Sequence, residues 1–481
     1  ELFNANDIYD DYGALAYERV KTKIPVMTII GALPTAKGDK KQVRIIYEDP
    51  FDPTLNFDTA NDDGDCTIDV QGTSSQWYVR KNWKLKFKNE QAHVAGMLPA
   101  KVFCMKAGYA EATGTHNTQN ANLIGTLYQT KTPPQETDAR VRTTVYGFPC
   151  VIYHKATESS APVFNGKYNF NYDKGAENVY GFSADYPNAE SWEFCNNTSD
   201  ACLFHGPIGA EWGDDFEARY PDGDQDIQYF KTMHDWVVST YQGGATGSAL
   251  AESYTDADGT VHTKDNAAYR LAKFKKEFTD HFDKDFCLLY YIYTFVMLMV
   301  DQRAKNMFLT TWDHVHWQPW FYDNDTCLGI NNEGALVFDY YHEDGDQLAG
   351  ANVYNGATSA LWVNFKMAFA DEIKALYQSL RNNRKLTPEV VYQYFITNGA
   401  RKWSESIYNE DAVFKYVSML ISDNDATNLD QIRGSGESHL RYFIENRFKY
   451  CDSKWYTADY ANNYISLRIY TPVNADGTPK T

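Results

Sequence analysis

The stretch FCLLYYIYTFVMLMV, residues 286–300, carries no charge and stops at Asp301. A run apolar on every side belongs in a protein core or a bilayer, and this one falls short of the ~20 residues a spanning helix needs. It reads as a buried helix around which the second half of the chain must pack. Asp301 then stands at the C-terminal edge of that helix, where the helix dipole disfavours negative charge. Its position points to a purpose other than capping.

Downstream, Asn306 completes a D-x-x-x-x-N pattern, and NMFLTTW and WQPWFY read as short strands around the turn DHVH. Asp323, Asn324 and Asp325 follow directly, and Gly329 closes the segment. Phosphoryl transfer needs this set of parts. One carboxylate orients the attacking hydroxyl and takes its proton, while an amide oxygen and a second carboxylate hold Mg²⁺ against the phosphates. A hairpin between them delivers both groups to one end of a sheet, and Arg303 places a cation near the transferring group. The bland reading makes Asp301 and Asn306 loop residues bonded to backbone and DND an ordinary turn. D-x-x-x-x-N alone is a weak pattern; the order of helix, loop, hairpin and acidic turn gives it weight. Paired carboxylates and abundant aromatics would also suit a glycosidase, but that reading leaves Asn306 and a basic strand upstream unexplained. A serine hydrolase is weaker still, since the chain has no GxSxG motif.

The 481 residues, 43% hydrophobic and 15% aromatic, suffice for two or three domain-sized units or one large two-lobed body. From Ile24, IPVMTIIG, QVRIIYE and CTIDVQG read as strands between Gly, Asp and Pro punctuation. In NWKLKFKN, Trp83, Leu85 and Phe87 alternate with Lys84, Lys86 and Lys88, which makes a half-buried strand with a basic face. KVFCMKA gives a further strand, HNTQNANLIGTLYQ a helix, and VYGFPCVIYHK and GKYNFNYDKG two more strands. Residues 181–265 read as an irregular insertion with a helix near 226–240. Within it, DADG is the turn of a hairpin between SYT and TVH, because it lacks the alternating ligands and closing glutamate of a calcium loop. Helices follow over 268–300, 359–382 and 435–450, with a capped start at Thr387-Pro388-Glu389.

The expected divisions are an N-terminal extension (1–23), a β-rich lobe (24–180), the insertion (181–265), a helical lobe (266–451) and the start of a further β-rich segment (452–481). The chain opens at Glu1, which reads as a processed or trimmed N-terminus. A formal charge of −19 argues against binding to a nucleic-acid backbone or an anionic membrane. The eight cysteines are scattered without zinc spacing and read mostly as small buried hydrophobes.

QGTSSQWYVRKNWKLKF, MVDQRAKNMFL and FYDNDTCLGINNEGA resemble the spore coat protein H (CotH) kinase family of atypical protein kinases, over a span from about Ile24 to about Cys451. The resemblance implies an α+β, two-lobed atypical protein-kinase-like fold, with a β-rich nucleotide-binding N-terminal lobe and a mainly helical C-terminal lobe. It implies ATP and Mg²⁺ or Mn²⁺ between the lobes and transfer of the γ-phosphate to a protein hydroxyl. By motif, Asp301 is the implied catalytic aspartate with Arg303 beside it, and Asn306 and Asp323 or Asp325 are the implied metal ligands. Lys84 or Lys86 is the implied phosphate-contacting lysine, and Gly72, Thr73, Ser74 and Ser75 the loop that approaches the nucleotide. In the bland alternative, Lys84 and Lys86 are the solvent face of an edge strand and Gly72 only supplies a turn.

The sequence departs from ordinary kinases in lacking a GxGxxG loop, a His-Arg pair before Asp301 and a DFG motif, and Glu111 is the one candidate for a helix glutamate. The implied partners are a protein substrate or assembly partners, with no nucleic acid and no membrane span. The implied setting is an extracellular surface, a spore coat or a virion rather than the cytoplasm. A second class is compatible with the same residues: a catalytically silent kinase-like body that serves as a structural or attachment component of a larger particle.

Overall fold

Period-two alternation builds the first half of the chain. Val43, Ile45 and Tyr47 are buried in β2 (Lys41–Glu48), and Cys66, Ile68 and Val70 in β4 (Cys66–Gln71). In β5 (Asn82–Gln91), Trp83, Leu85 and Phe87 point inward while Lys84, Lys86 and Lys88 are exposed, as the alternation predicts. A computed structural model describes residues 25–401 and 436–456, apart from short stretches at 63–65, 73–74, 79, 93–95, 109–112, 224–225, 245–252, 256–257, 264–265, 332–334 and 349–350. The extension at 1–23 and the tail strand expected after 456 lie outside the described residues.

These strands join β1 (Val26–Ile30), β6 (Ala100–Lys106), β7 (Gly147–Lys155) and β8 (Val163–Tyr172) in the order β1-β7-β8-β6-β5-β4-β2. β1 lies parallel to β7 on one edge, Val26 opposite Val151, and antiparallel to β2 on the other, Val26 opposite Glu48. Seven strands thus close into a mixed barrel, with β3 (Phe57–Asp58) added against β2. Met27, Ile29, Ile45, Ile68, Leu85, Phe103, Ile152 and Phe170 fill its fully buried interior.

The barrel overturns the expected two-lobed kinase-like architecture. Alternation reports which side of a strand is buried, but it is the same in an open sheet and a closed one. Closure here rests on the five-residue β1, whose two edges choose partners far apart in sequence. The fold is an α+β mix of barrel, second sheet and helices. Residues 181–265, expected to be irregular, supply half of that second sheet. β9 (Glu190–Phe194) and β10 (Phe216–Tyr220) join β13 (Met307–Thr311) and β14 (Trp317–Phe321) in the order β10-β9-β13-β14. The SYT and TVH segments do pair as an antiparallel hairpin, β11 (Ser253–Thr255) with β12 (Val261–Thr263), Ser253 opposite Thr263.

The uncharged run folds as the helix Lys284–Val296, started by Asp283, whose carboxylate accepts from the N–H groups of Asp285 (3.1 Å) and Phe286 (3.3 Å). Every residue from Phe286 to Val296 is buried. The helix packs on β14 and on the helices Ala370–Asn382 and Glu437–Trp455. Leu298, in the left-handed region at φ 49°, ends it, and the N–H of Met299 donates back to the carbonyl of Thr294 (2.9 Å). Among the described residues, no helix is long and apolar enough to cross a membrane.

Candidate functional site

The tight exit at Leu298 carries the chain to Asp301, which is only 5% exposed. Its carboxylate accepts from Asn306 Nδ2 (2.8 Å) on one oxygen and from Asn355 Nδ2 on the other. The next residue, Gln302, donates from Nε2 to the backbone carbonyl of Asp323 (3.0 Å), which ties the aspartate loop to the acidic turn. Between the two runs the hairpin β13–β14, with Met307 opposite Phe321, so residues just before and just after it stand side by side. Asn306 and Asp323, at those two ends, both take left-handed backbone (φ 55° and 52°). Asn and Asp are among the non-glycine residues that take that conformation most readily. Asp301, Asn306, Asp323 and Asp325 line one cleft of about 550 Å³.

The barrel supplies the facing wall. Lys106, the buried last residue of β6, places Nζ 3.1 Å from Asp323 Oδ1, and Asn117 Nδ2 donates to the same oxygen (3.3 Å). Lys84, on the exposed face of β5, pairs with Asp173 (3.0 Å), itself buried. At the rim, Lys174 (2.7 Å) and Arg219 (2.5 Å) share Glu193 of β9. The cations of the cleft therefore already face carboxylates. The helix His116–Leu127 supports the acidic turn from behind. Asn120 Nδ2 donates to the carbonyl of Asn324 (2.6 Å), and His116 Nδ1 lies 3.1 Å from the carbonyl of Asp325.

Burial sets the electrostatics. It pushes the Asp301 carboxyl up to about 6 against the Asn355 hydrogen bond and Lys305, with the charge of Asp323 adding to the rise. Burial, then the neighbouring Asp323, also raises the Asp325 carboxyl, with Lys106 opposing. For Lys106 burial works against the ammonium form, but Asp323 and Asp325 outweigh it and hold its pKa above the usual lysine range. Lys106 is thus held towards its charged form beside two carboxylates, and Asp301 is a buried carboxylate whose raised pKa suits proton transfer.

The remaining expected residues divide. Gly72 and Ser75 line the cleft. Gly72 has φ +111°, and a Cβ there would lie 1.9 Å from Ser75 Oγ, so this turn requires glycine. Thr73, Ser74 and Glu111 lie outside the described residues. Lys86 is exposed on the same face of β5 as Lys84 but does not line the cleft. Arg303 is turned away from it altogether. At 1% exposure its guanidinium pairs with Asp344, with Cζ 4.4 Å and 4.1 Å from the ring centres of Tyr291 and Tyr354. Its placement is that of a core cation, which corrects its expected place beside the transferring group.

Sequence reasoning missed Lys106, Asn117, Asp173 and Asn355. Lys106 had a signal: a lysine directly after the apolar run VFCM must find a carboxylate if the strand is buried there. Asn355, 54 positions beyond Asp301, had none.

The turn that presents Asn355 is sterically tight. Gly356 has φ +84°, and a Cβ there would meet the Arg303 carbonyl at 2.7 Å and Ala304 Cβ at 2.6 Å. Gly356→Ala should cost about 1–3 kcal/mol in a urea melt. An unchanged midpoint would show that the turn absorbs a side chain after all.

Among the described residues, no group of three or more His, Cys, Asp or Glu side chains is arranged to hold a metal ion. Asn306, Asp323 and Asp325 offer two carboxylates and an amide oxygen, too few for a calcium cage; a Mg²⁺ or Mn²⁺ held by them would complete its shell with waters. Compared with protein-family models and with curated proteins, the chain matches none.

Proposed function

We propose that the cleft binds ATP with Mg²⁺ or Mn²⁺ and transfers the γ-phosphoryl group to a hydroxyl on a protein. The observation that carries this reading is the convergence of Asp301, Asn306, Asp323 and Asp325 on one cleft opposite Lys106 and Lys84. The resemblance in the motifs around the same residues points the same way. The reading does not depend on a kinase fold, since chemistry resides in a site that different folds can carry.

In this reading the hydroxyl oxygen attacks the γ-phosphorus, the bond to the bridging β–γ oxygen breaks, ADP leaves, and the hydroxyl proton passes to the Asp301 carboxylate. Asn306 and Asn355 fix that carboxylate from both sides, so its remaining lone pairs are the proton's destination. Because the Asn306 nitrogen is engaged by Asp301, its oxygen is the atom left for a metal, together with the carboxylates of Asp323 and Asp325. Bound there, the metal would neutralise charge on the phosphates. Lys106 exchanges part of its contact with Asp323 for a phosphate oxygen, and Lys84 does the same from Asp173.

Calorimetric titration of ATP, with and without Mg²⁺ or Mn²⁺, tests this. The wild-type protein should show metal-dependent binding, Lys106→Met should weaken it about tenfold through loss of a charge-assisted hydrogen bond, and Asp323→Ala/Asp325→Ala should remove the metal dependence. Absence of binding with either metal would sink the proposal and favour a non-catalytic component of a larger particle.

A further inference from the structure

A second cavity, of about 190 Å³, opens where β9, β10 and the turn of the β13–β14 hairpin meet the helix Gln228–Ser239. Its wall includes Glu190, Trp192, Tyr220, Asp226, Tyr229 and His314. Glu190 is only 7% exposed. One of its oxygens accepts from Trp192 Nε1 (3.1 Å), and the other lies 3.3 Å from His314 Nε2. The His314 ring stacks on Tyr229 with centroids 3.9 Å apart and planes 15° off parallel, and its backbone takes a left-handed φ of 63°. Among the described residues that line it, the cavity has two carboxylates and no lysine or arginine.

We propose that this pocket takes the guanidinium group of an arginine side chain presented by a partner protein. Its volume is below the ~300 Å³ at which small-molecule sites begin and suits a single side chain. A planar, delocalised cation stacks on aromatic faces and hydrogen-bonds a carboxylate in a fixed fork, which a lysine ammonium does not. The local charge balance has the matching gap. Burial raises the Glu190 carboxyl against the Trp192 hydrogen bond, and the charge of Asp226 adds to the rise, so an arriving cation relieves both. Burial also lowers the His314 imidazole against the pull of Asp313, which favours its neutral form over a competing cation. Glu190 and Glu193 lie an odd number of residues apart on β9 and so project from opposite faces of the sheet. The pocket is therefore independent of the cleft and of the reading given to it.

N-acetyl-arginine amide, titrated into the whole protein and followed by tryptophan fluorescence, should saturate, and the isosteric neutral citrulline amide should bind at least about tenfold more weakly. Glu190→Gln should weaken arginine binding about tenfold, while the exposed-site variants Asp226→Asn and Tyr229→Ala, which leave the buried wall in place, should each weaken it about two- to fivefold. ATP binding in the cleft should be the same in all three, which separates failure here from failure there. Equal affinity for arginine and citrulline would overturn the proposal. So would unchanged affinity in Asp226→Asn and Tyr229→Ala, or saturation by methyl glucoside but not by arginine.

Discussion

Asp301→Asn should slow phosphoryl transfer by about three orders of magnitude, within the 10²–10⁴ range that general-base catalysis supplies, while ATP affinity stays within a few-fold. The asparagine keeps the shape and one of the two acceptor oxygens, so it strands one amide donor where alanine strands both, and it cannot take the proton. The variant must be asparagine and not alanine because Asp301 is buried, not a solvated loop residue as its place after a helix suggests. Alanine would leave the amide groups of Asn306 and Asn355 without the acceptor they now share, at a cost of about 1–3 kcal/mol for each donor left buried. A lost rate in Asp301→Ala would then mix chemistry with misfolding. Single-turnover transfer and calorimetry on the same Asp301→Asn preparation separate the terms. A transfer rate within tenfold of wild type removes Asp301 as the base. A parallel fall in rate and ATP affinity gives it a binding role instead.

The acidic half of this site was legible because chain order and local geometry encode it together. A buried helix must end, its exit fixes Asp301, and a tight hairpin brings the residues that flank it, Asn306 and Asp323, to one place whatever the rest of the fold does. The basic half was only partly legible. The alternation in NWKLKFKN put Lys84 and Lys86 on one face, but a two-residue shift along a strand decides which one reaches the cleft, and that depends on where β4 and β6 pair with it. Lys106 gave a signal of another kind: the run Phe103–Lys106 is buried on both faces, so no alternation marks a position there, and only the need of a buried lysine for a carboxylate singles it out. Barrel closure was invisible for a related reason, because it depends on register between β1 and β7 across a long stretch of chain. The helix His116–Leu127 shows a signal that could have been used. Its first turns are polar and buried, which requires partners, and the acidic turn supplies them.

Asp344→Ala should destabilise the protein by about 3–5 kcal/mol, the usual cost of stranding a buried charge. Arg303 is enclosed between Tyr291 and Tyr354, so it cannot reach water when its partner is removed. The same change removes the acceptor for Tyr291 OH (2.8 Å) and the partner of Lys366 (3.4 Å). The pH dependence has a definite sign. Burial alone would raise the Asp344 carboxyl, but Arg303, with Lys366, outweighs it and holds the folded-state pKa below the ordinary value. The contribution of Asp344 is thus complete above the unfolded pKa of about 3.9 and is lost as pH falls through the lower folded value. Urea melts of wild type and Asp344→Ala should differ by a constant amount from pH 8 to about 5 and converge only below about 4. Arg303→Met/Asp344→Leu removes both charges and keeps the volume, and should recover most of the loss, since an apolar replacement of a buried pair is often neutral. That double variant also decides what Arg303 does. A side chain that touched the transferring phosphoryl group would take the reaction with it when replaced, even in a folded protein. A core cation that only fastens the Asp301 loop to the central helix leaves transfer within about tenfold once the packing is restored, and this is the outcome its burial predicts.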